Sequence, residues 1–313
     1  HYLKDIIGFE VALTDSIFDV LEKRSRIVSA NKEQTELIPP RLYGIWLNEA
    51  WSIIEEFEQV SNELSNLLHE LVIEPPYHKT NYSTVMRKQA WEKWLEEGAL
   101  STLAKSRGFE TDRRKLFSYL SDFMLICKGL IHFYSGMRED EVLSLNYHCL
   151  ELDKIHKRKR ARLIGNTTKY IGNKKQEQWA TTVDLERVID ALQTIVKPIA
   201  SLIDVTIEPK IQKGQTPCQL FLSTNYLTSK SYQKKYPRGK VRYWRSTPVS
   251  ESLSMNSLFN KNLMKITEED IKYLEQFEPE KNWRQSKYAV GEIWHLKTHQ
   301  FRRSLAVYSA QSG

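Results

Sequence analysis

From Leu42 to Leu68 an apolar residue returns every third or fourth position: Leu42, Ile45, Trp46, Ala50, Ile53, Ile54, Phe57, Val60, Leu64, Leu67 and Leu68. That rhythm is the stripe of one long amphipathic helix and excludes a strand-rich start. Pro39 and Pro40 supply the start signal, and Pro75 and Pro76 the stop. A further amphipathic stretch runs through about 86–106. From Arg113 the run "KLFSYLSDFMLICKGLIHFYSG" predicts a strongly apolar helix closed by Gly136, the residue type that tolerates a left-handed cap.

Strands are expected only beyond that point. "RARLIG" and "EQWATTV" flank the turn-rich "NTTKYIGNKKQ", the pattern of a β-hairpin with a polar, basic tip. "LERVIDALQTIV" returns to helix, "CQLFLS" reads as strand-like, and "TEEDIKYLEQF" as a short helix with its own N-terminal cap. The predicted class is mainly α with a small antiparallel β-sheet. No period of 20–50 residues recurs, which excludes repeat architectures.

At 313 residues the chain is long enough for two domains. No apolar run near the ~18 residues of a membrane span is expected, and no signal-peptide pattern opens the chain. The chain begins with His1 rather than Met, which reads as a fragment. Cys127, Cys149 and Cys218 stand at unrelated spacings, with neither a disulfide framework nor a metal-ligand pair, so a reduced, cytoplasmic protein is expected. No metal or cofactor is expected.

The net charge is +7, but its distribution says more. Acidic residues gather early, as in "SIIEEFEQVSNELSNLLHEL". Basic residues concentrate in 153–175, with nine Lys or Arg, and in 229–245, with seven. The second stretch interleaves them with Tyr232, Tyr236, Tyr243 and Trp244. Cations mixed with flat rings suit nucleic acid, with solvated loops as the plain alternative. The DNA-contacting candidates are Arg158, Arg160, Lys174 and Lys175 in the first stretch, and Lys234, Lys235, Arg238 and Arg242 in the second.

Two short motifs carry the chemistry. In "SGMREDEVLSL", Arg138 follows the Gly136 break and precedes three acids, Glu139, Asp140 and Glu141, ahead of an apolar rhythm. In "THQFRRSLAVY", Phe301, Leu305 and Tyr308 form one helical stripe, with His299, Arg302 and Arg303 roughly opposite. An arginine in a tight turn is commonly a salt-bridge partner of nearby acids, and a basic helix face is commonly solvated.

In their order, Arg in a Gly-x-Arg-x-x-Glu turn, Lys in a basic hairpin and His-x-x-Arg on a late helix, these motifs resemble the tyrosine recombinase (phage integrase) family over about 112–313. The resemblance implies Arg138, Lys169, His299 and Arg302 as catalytic residues, supported by Glu141, with Arg303 where many members carry a second histidine. Lys174 or Lys175 is an alternative to Lys169. It implies a helical clamp region over 1–110 and a catalytic domain over 111–313, with an insertion at about 205–292. It also implies double-stranded DNA as partner, homo-tetramers on paired sites and a phosphotyrosyl intermediate. The family's nucleophile follows the second motif on a further segment. The chain ends eleven residues after Arg302, and Tyr308, on the apolar stripe, reads as core. The fragment is therefore expected to be a monomer that binds DNA without cleaving it. Type IB topoisomerases share these parts. Two other readings stay open: a non-catalytic DNA-binding protein of the same fold, acting as regulator or partner subunit, and a helical scaffold with basic loops.

Overall fold

The computed structural model describes residues 35–73, 85, 89, 91–93, 95, 98–155, 158–167, 175–203, 205–209, 215–227, 230–235, 253–284 and 286–312. The chain divides into His1–Glu36 and a second compact unit, Leu37–Gly313, which holds all the described elements. The architecture is mainly helical with one small antiparallel sheet.

Helix α1 (Pro40–Ile73) follows the periodicity from its opening proline. Its stripe from Leu42 to Leu71 is buried, with Ile45 half-buried. The acidic residues on its other side work locally. Glu56 pairs with Arg107 at 2.5 Å and Glu58 with Arg187 at 2.5 Å. Glu63 accepts the N–H groups of Ala99 (3.2 Å) and Leu100 (2.8 Å), so α1 supplies the missing cap of helix α2 (Ala99–Arg107).

Helix α3 (Arg113–Ser135) is the centre of the unit. Asp112 caps its start by accepting the Arg114 N–H, and Gly136 ends it in the left-handed conformation, φ 62°. Contrary to the expectation from sequence, α3 is long and apolar enough to cross a membrane. However, 83% of its most apolar 18-residue window is buried inside the protein. Aromatic contacts fasten it to α1: Phe123 stacks on Phe57 at 4.1 Å and Phe133 on Tyr43 at 4.2 Å. Gly129 permits the close approach, since a Cβ there would stand 2.6 Å from the Trp46 ring.

After the short helix α4 (Glu139–Leu143), three strands form a sheet of order β1-β2-β3: β1 (Leu150–Ile155), β2 (Arg158–Thr167) and β3 (Lys175–Thr181). The hairpin strands "RARLIG" and "EQWATTV" are therefore largely β2 and β3, joined by β1, which runs into the first basic stretch. In β2 the pleat sends Ala161, Leu163, Gly165 and Thr167 inward. Arg162 lies on the other face, paired with Asp153 and with Glu151. Such cross-strand acids offset part of that stretch's charge.

Helix α5 (Leu185–Ile203) packs on α1 and α3. "CQLFLS" is not a strand. Its backbone makes one isolated bridge, Gln219 with Asn146, beside a second just before it, Pro217 with Thr206, while Leu220, Phe221 and Leu222 are buried. Helix α6 (Lys230–Lys235) carries part of the second basic stretch. Helix α7 (Glu268–Phe277) has the expected cap, with Thr267 and Asp270 bonded reciprocally. Helix α8 (Thr298–Ser312) lies on α3 and buries Phe301 against Trp46 and Phe133.

Candidate functional site

The left-handed cap at Gly136 turns the chain sharply out of α3, and Arg138 follows in extended conformation as the N-cap of α4. Its own helix then grips it. The Glu141 carboxylate accepts the Arg138 N–H at 2.7 Å through Oε2 and the guanidinium Nη1 at 3.2 Å through Oε1. The Thr167 hydroxyl, at the end of β2, donates to the same Oε1 at 2.8 Å. Glu141 is buried at 3% exposure. Burial pushes its pKa up. The Arg138 N–H, the Thr167 hydroxyl and the charges of Arg138 and Arg302 more than offset that, holding it below the ordinary carboxylate range.

Arg302 reaches this turn from α8, donating from Nη1 to the Gly136 carbonyl at 2.8 Å. Arg138 and Arg302 thereby line one open cleft of about 220 Å³ with Glu141, Thr167, Glu177, Gln178 and Trp179. Glu177 is paired with Lys175 at 3.0 Å. With Arg138, Arg302 and Lys175 set against Glu141 and Glu177, one positive charge remains. Two guanidinium groups on rigid supports, one fixed by a buried carboxylate, are suited to bind an oxyanion.

A buried ionic layer supports the turn. Lys128 on α3 is about 1% exposed and contacts Glu139 Oε1 at 2.6 Å. His132 Nδ1 lies 2.9 Å from the Met137 carbonyl, which requires the proton on that nitrogen. Its Nε2 stands 3.3 Å from Glu139 Oε2, an ion pair when the imidazole carries a proton on both nitrogens. Burial holds the His132 pKa below its ordinary value against the pull of Glu139. Burial pushes Glu139 the other way, but His132 and Lys128 prevail and bring it to about 2.

The other sequence candidates fall in several places. His299 is exposed on α8, three residues before Arg302, and is not among the residues lining the cleft. Arg303 is directed elsewhere, into an ion pair with the buried Glu278, rather than standing with His299 and Arg302 on one open face. Lys175 is exposed at the start of β3, Arg160 is exposed on β2 opposite Asp153, and Arg158 pairs through its backbone with Ile155. Lys234 and Lys235 are exposed on α6. Lys169, Lys174, Arg238 and Arg242 lie outside the described residues.

Tyr308 is half-buried, with its ring 5.4 Å from Tyr43 and its hydroxyl donating to the Ile38 carbonyl. Burial raises its phenol pKa well above the ordinary value. The three cysteines are buried. Burial pushes the Cys149 and Cys218 thiols up to about 12, which leaves them unreactive.

Sequence reasoning passed over Thr167, Glu177, Gln178 and Trp179. Strand alternation through "RARLIGNT" would have pointed Thr167 inward with Leu163. No local signal pairs Lys128 with Glu139, since Lys128 sits within an apolar helical run. No family model, curated protein or solved structure matches the chain, so the site is read from its own geometry.

Proposed function

We propose that the Arg138–Arg302 cleft binds a phosphodiester of double-stranded DNA, and that the chain carries the DNA-binding and phosphate-activating residues of a tyrosine-type site-specific recombinase. One observation carries this reading. Two arginines from the two sequence motifs line the same cleft, and Arg302 bonds across 166 positions to the turn that presents Arg138. A cleft of about 220 Å³ is below the range of drug-sized ligand sites and suits a phosphate with part of its flanking sugars.

Attack on a phosphodiester builds negative charge on the non-bridging oxygens, and paired guanidinium forks stabilise that charge without a metal. Arg138, held by Glu141, and Arg302, held by the Gly136 carbonyl, are the two forks. His299, one helical turn before Arg302, is the residue to hydrogen-bond the phosphate once DNA approaches. Lys169 is the general acid for the departing sugar oxygen, with Lys174 and Lys175 as alternates. The exposed Arg160, Lys175, Lys234 and Lys235 add phosphate contacts that set affinity rather than sequence choice. Assembly into tetramers on paired sites belongs to the same reading.

A second reading, a non-catalytic DNA-binding protein with the same clamp, is favoured by one fact. Among the described residues lining the cleft there is no tyrosine. One experiment separates the two. A nicked suicide duplex is incubated with this chain and with any longer product that its gene encodes, and a denaturing gel is read for a covalent protein–DNA adduct. The recombinase reading expects salt-sensitive duplex binding by both proteins and an adduct only with the longer one. An adduct with neither leaves the non-catalytic reading. Absence of duplex binding at low salt, or binding unaffected by R138A and R302A, overturns the phosphate cleft.

A further inference from the structure

We propose that Thr167 is a positioning residue for Arg138, acting through Glu141; the proposal rests on the reading of the Arg138–Arg302 cleft as a phosphate site. Three hydrogen bonds hold the Glu141 carboxylate, and two of them come from Arg138 itself, through its N–H and its Nη1. The third is the Thr167 hydroxyl at 2.8 Å, from a residue distant by 26 positions and belonging to the sheet. With that hydroxyl removed, Oε2 would keep its main-chain bond while Oε1 would be left with the mobile guanidinium alone. The main-chain N–H of Arg138 fixes Oε2 within α4, whereas Thr167 ties Oε1, the oxygen that meets the guanidinium, to the sheet and so to the frame of the cleft.

The anchor is well built. Thr167 is 4% exposed, at the inward parity of β2 shared with Leu163 and Gly165. Cross-strand pairing of Thr167 with Lys175, and of Leu163 with Trp179, sets its register. Its branched side chain has little χ1 freedom in a strand, so the hydroxyl reaches Glu141 at small entropic cost. Because Oε1 accepts from both Thr167 and Arg138 Nη1, the direction of the guanidinium follows the point at which Thr167 holds that oxygen. Thr167 also lines the cleft, which places the anchor within the site that it organises.

The test compares Thr167→Val, which keeps the shape and deletes the hydroxyl, with Thr167→Ser, which keeps the hydroxyl. Thr167→Ala repeats the deletion if the valine variant fails to fold. Arginine Nε–H NMR signals report side-chain order without ligand, and a titration with inorganic phosphate reports the cleft. Expected for Thr167→Val are a more mobile Arg138 Nε–H, a Glu141 carboxyl that titrates higher, and phosphate affinity weakened about fivefold. That factor matches the loss of one ordinary hydrogen bond's worth of orientation. Thr167→Ser should stay within about twofold of the parent. A merely structural threonine would lower the melting temperature and leave these readouts unmoved, and that result overturns the proposal. If inorganic phosphate perturbs neither Arg138 nor Arg302 in the parent chain, the phosphate reading fails, and with it the purpose assigned to Thr167. If phosphate moves both arginines equally in parent and Thr167→Val, the cleft stands and the role of Thr167 alone is rejected.

Discussion

Arg302 Nη1 donates to the Gly136 carbonyl at 2.8 Å, tying the helix of the second motif to the turn that opens the first. The bond uses one edge of the guanidinium and a carbonyl at the end of α3, where helix carbonyls lack intrahelical partners. It orients Arg302 and satisfies the cap together, so the stability of the turn and the geometry of the cleft are linked.

Gly136→Ala tests that link. At φ +62° a side chain is strained, and the added Cβ would stand 3.2 Å from Leu305 Cδ2 on α8. Left-handed backbone costs a non-glycine residue roughly 1–2 kcal/mol. The displaced α8 should also carry Arg302 away from Arg138. The expected result is a stability loss of about 1–2 kcal/mol in urea unfolding together with weaker duplex binding. A stable variant with parent-like DNA affinity would separate the cap from the site.

Acid should weaken the protein through Glu139. Its folded pKa, about 2, lies below the ordinary carboxylate value, so its contribution is fully present above about pH 5 and is lost as pH falls toward 2. For a carboxylate only partly exposed, that contribution is on the order of 2–3 kcal/mol. Urea midpoints across this range should fall more steeply in the parent than in Glu139→Gln. At pH 7, Glu139→Gln leaves the Lys128 ammonium buried beside a neutral amide and should cost roughly 3 kcal/mol. Adding Lys128→Met should recover much of that loss, and strictly additive losses would refute the coupling.

Gly129→Ala sets two effects against each other. Alanine favours the interior of a helix over glycine by about 1 kcal/mol. The new Cβ, however, would be 2.6 Å from the buried Trp46 ring and 3.1 Å from Leu253. Overpacking costs roughly 1–3 kcal/mol, and both neighbours are fully buried, so net destabilisation is expected by thermal melting. Trp46→Phe in the same chain should remove part of the penalty.

Tyr308→Phe should act on stability alone. Loss of the hydrogen bond to the Ile38 carbonyl costs about 1 kcal/mol. DNA affinity and any covalent DNA adduct should remain at parent levels. Loss of an adduct in that variant would make Tyr308 the nucleophile.

By itself the sequence determined the elements whose signals are local. The stripe from Leu42 to Leu68 made α1, because helix periodicity is a property of neighbouring residues. Gly136 closed α3, and Thr267 and Asp270 capped α7, because caps lie within a turn of what they cap. The pairing of β2 with β3 was legible from alternation and the turn between them, while β1 was hidden by its mixed charges, which cross-strand partners balance. Only tertiary structure decided the rest. It sent Arg303 to Glu278 while Arg302, one position earlier, reached Gly136, because α8 meets different neighbours on adjacent faces. It made Thr167 a partner of Glu141 and Lys128 a partner of Glu139, contacts across a strand and a turn that no local spacing encodes. The motifs named two arginines; packing α8 onto the end of α3 is what brought them to one cleft.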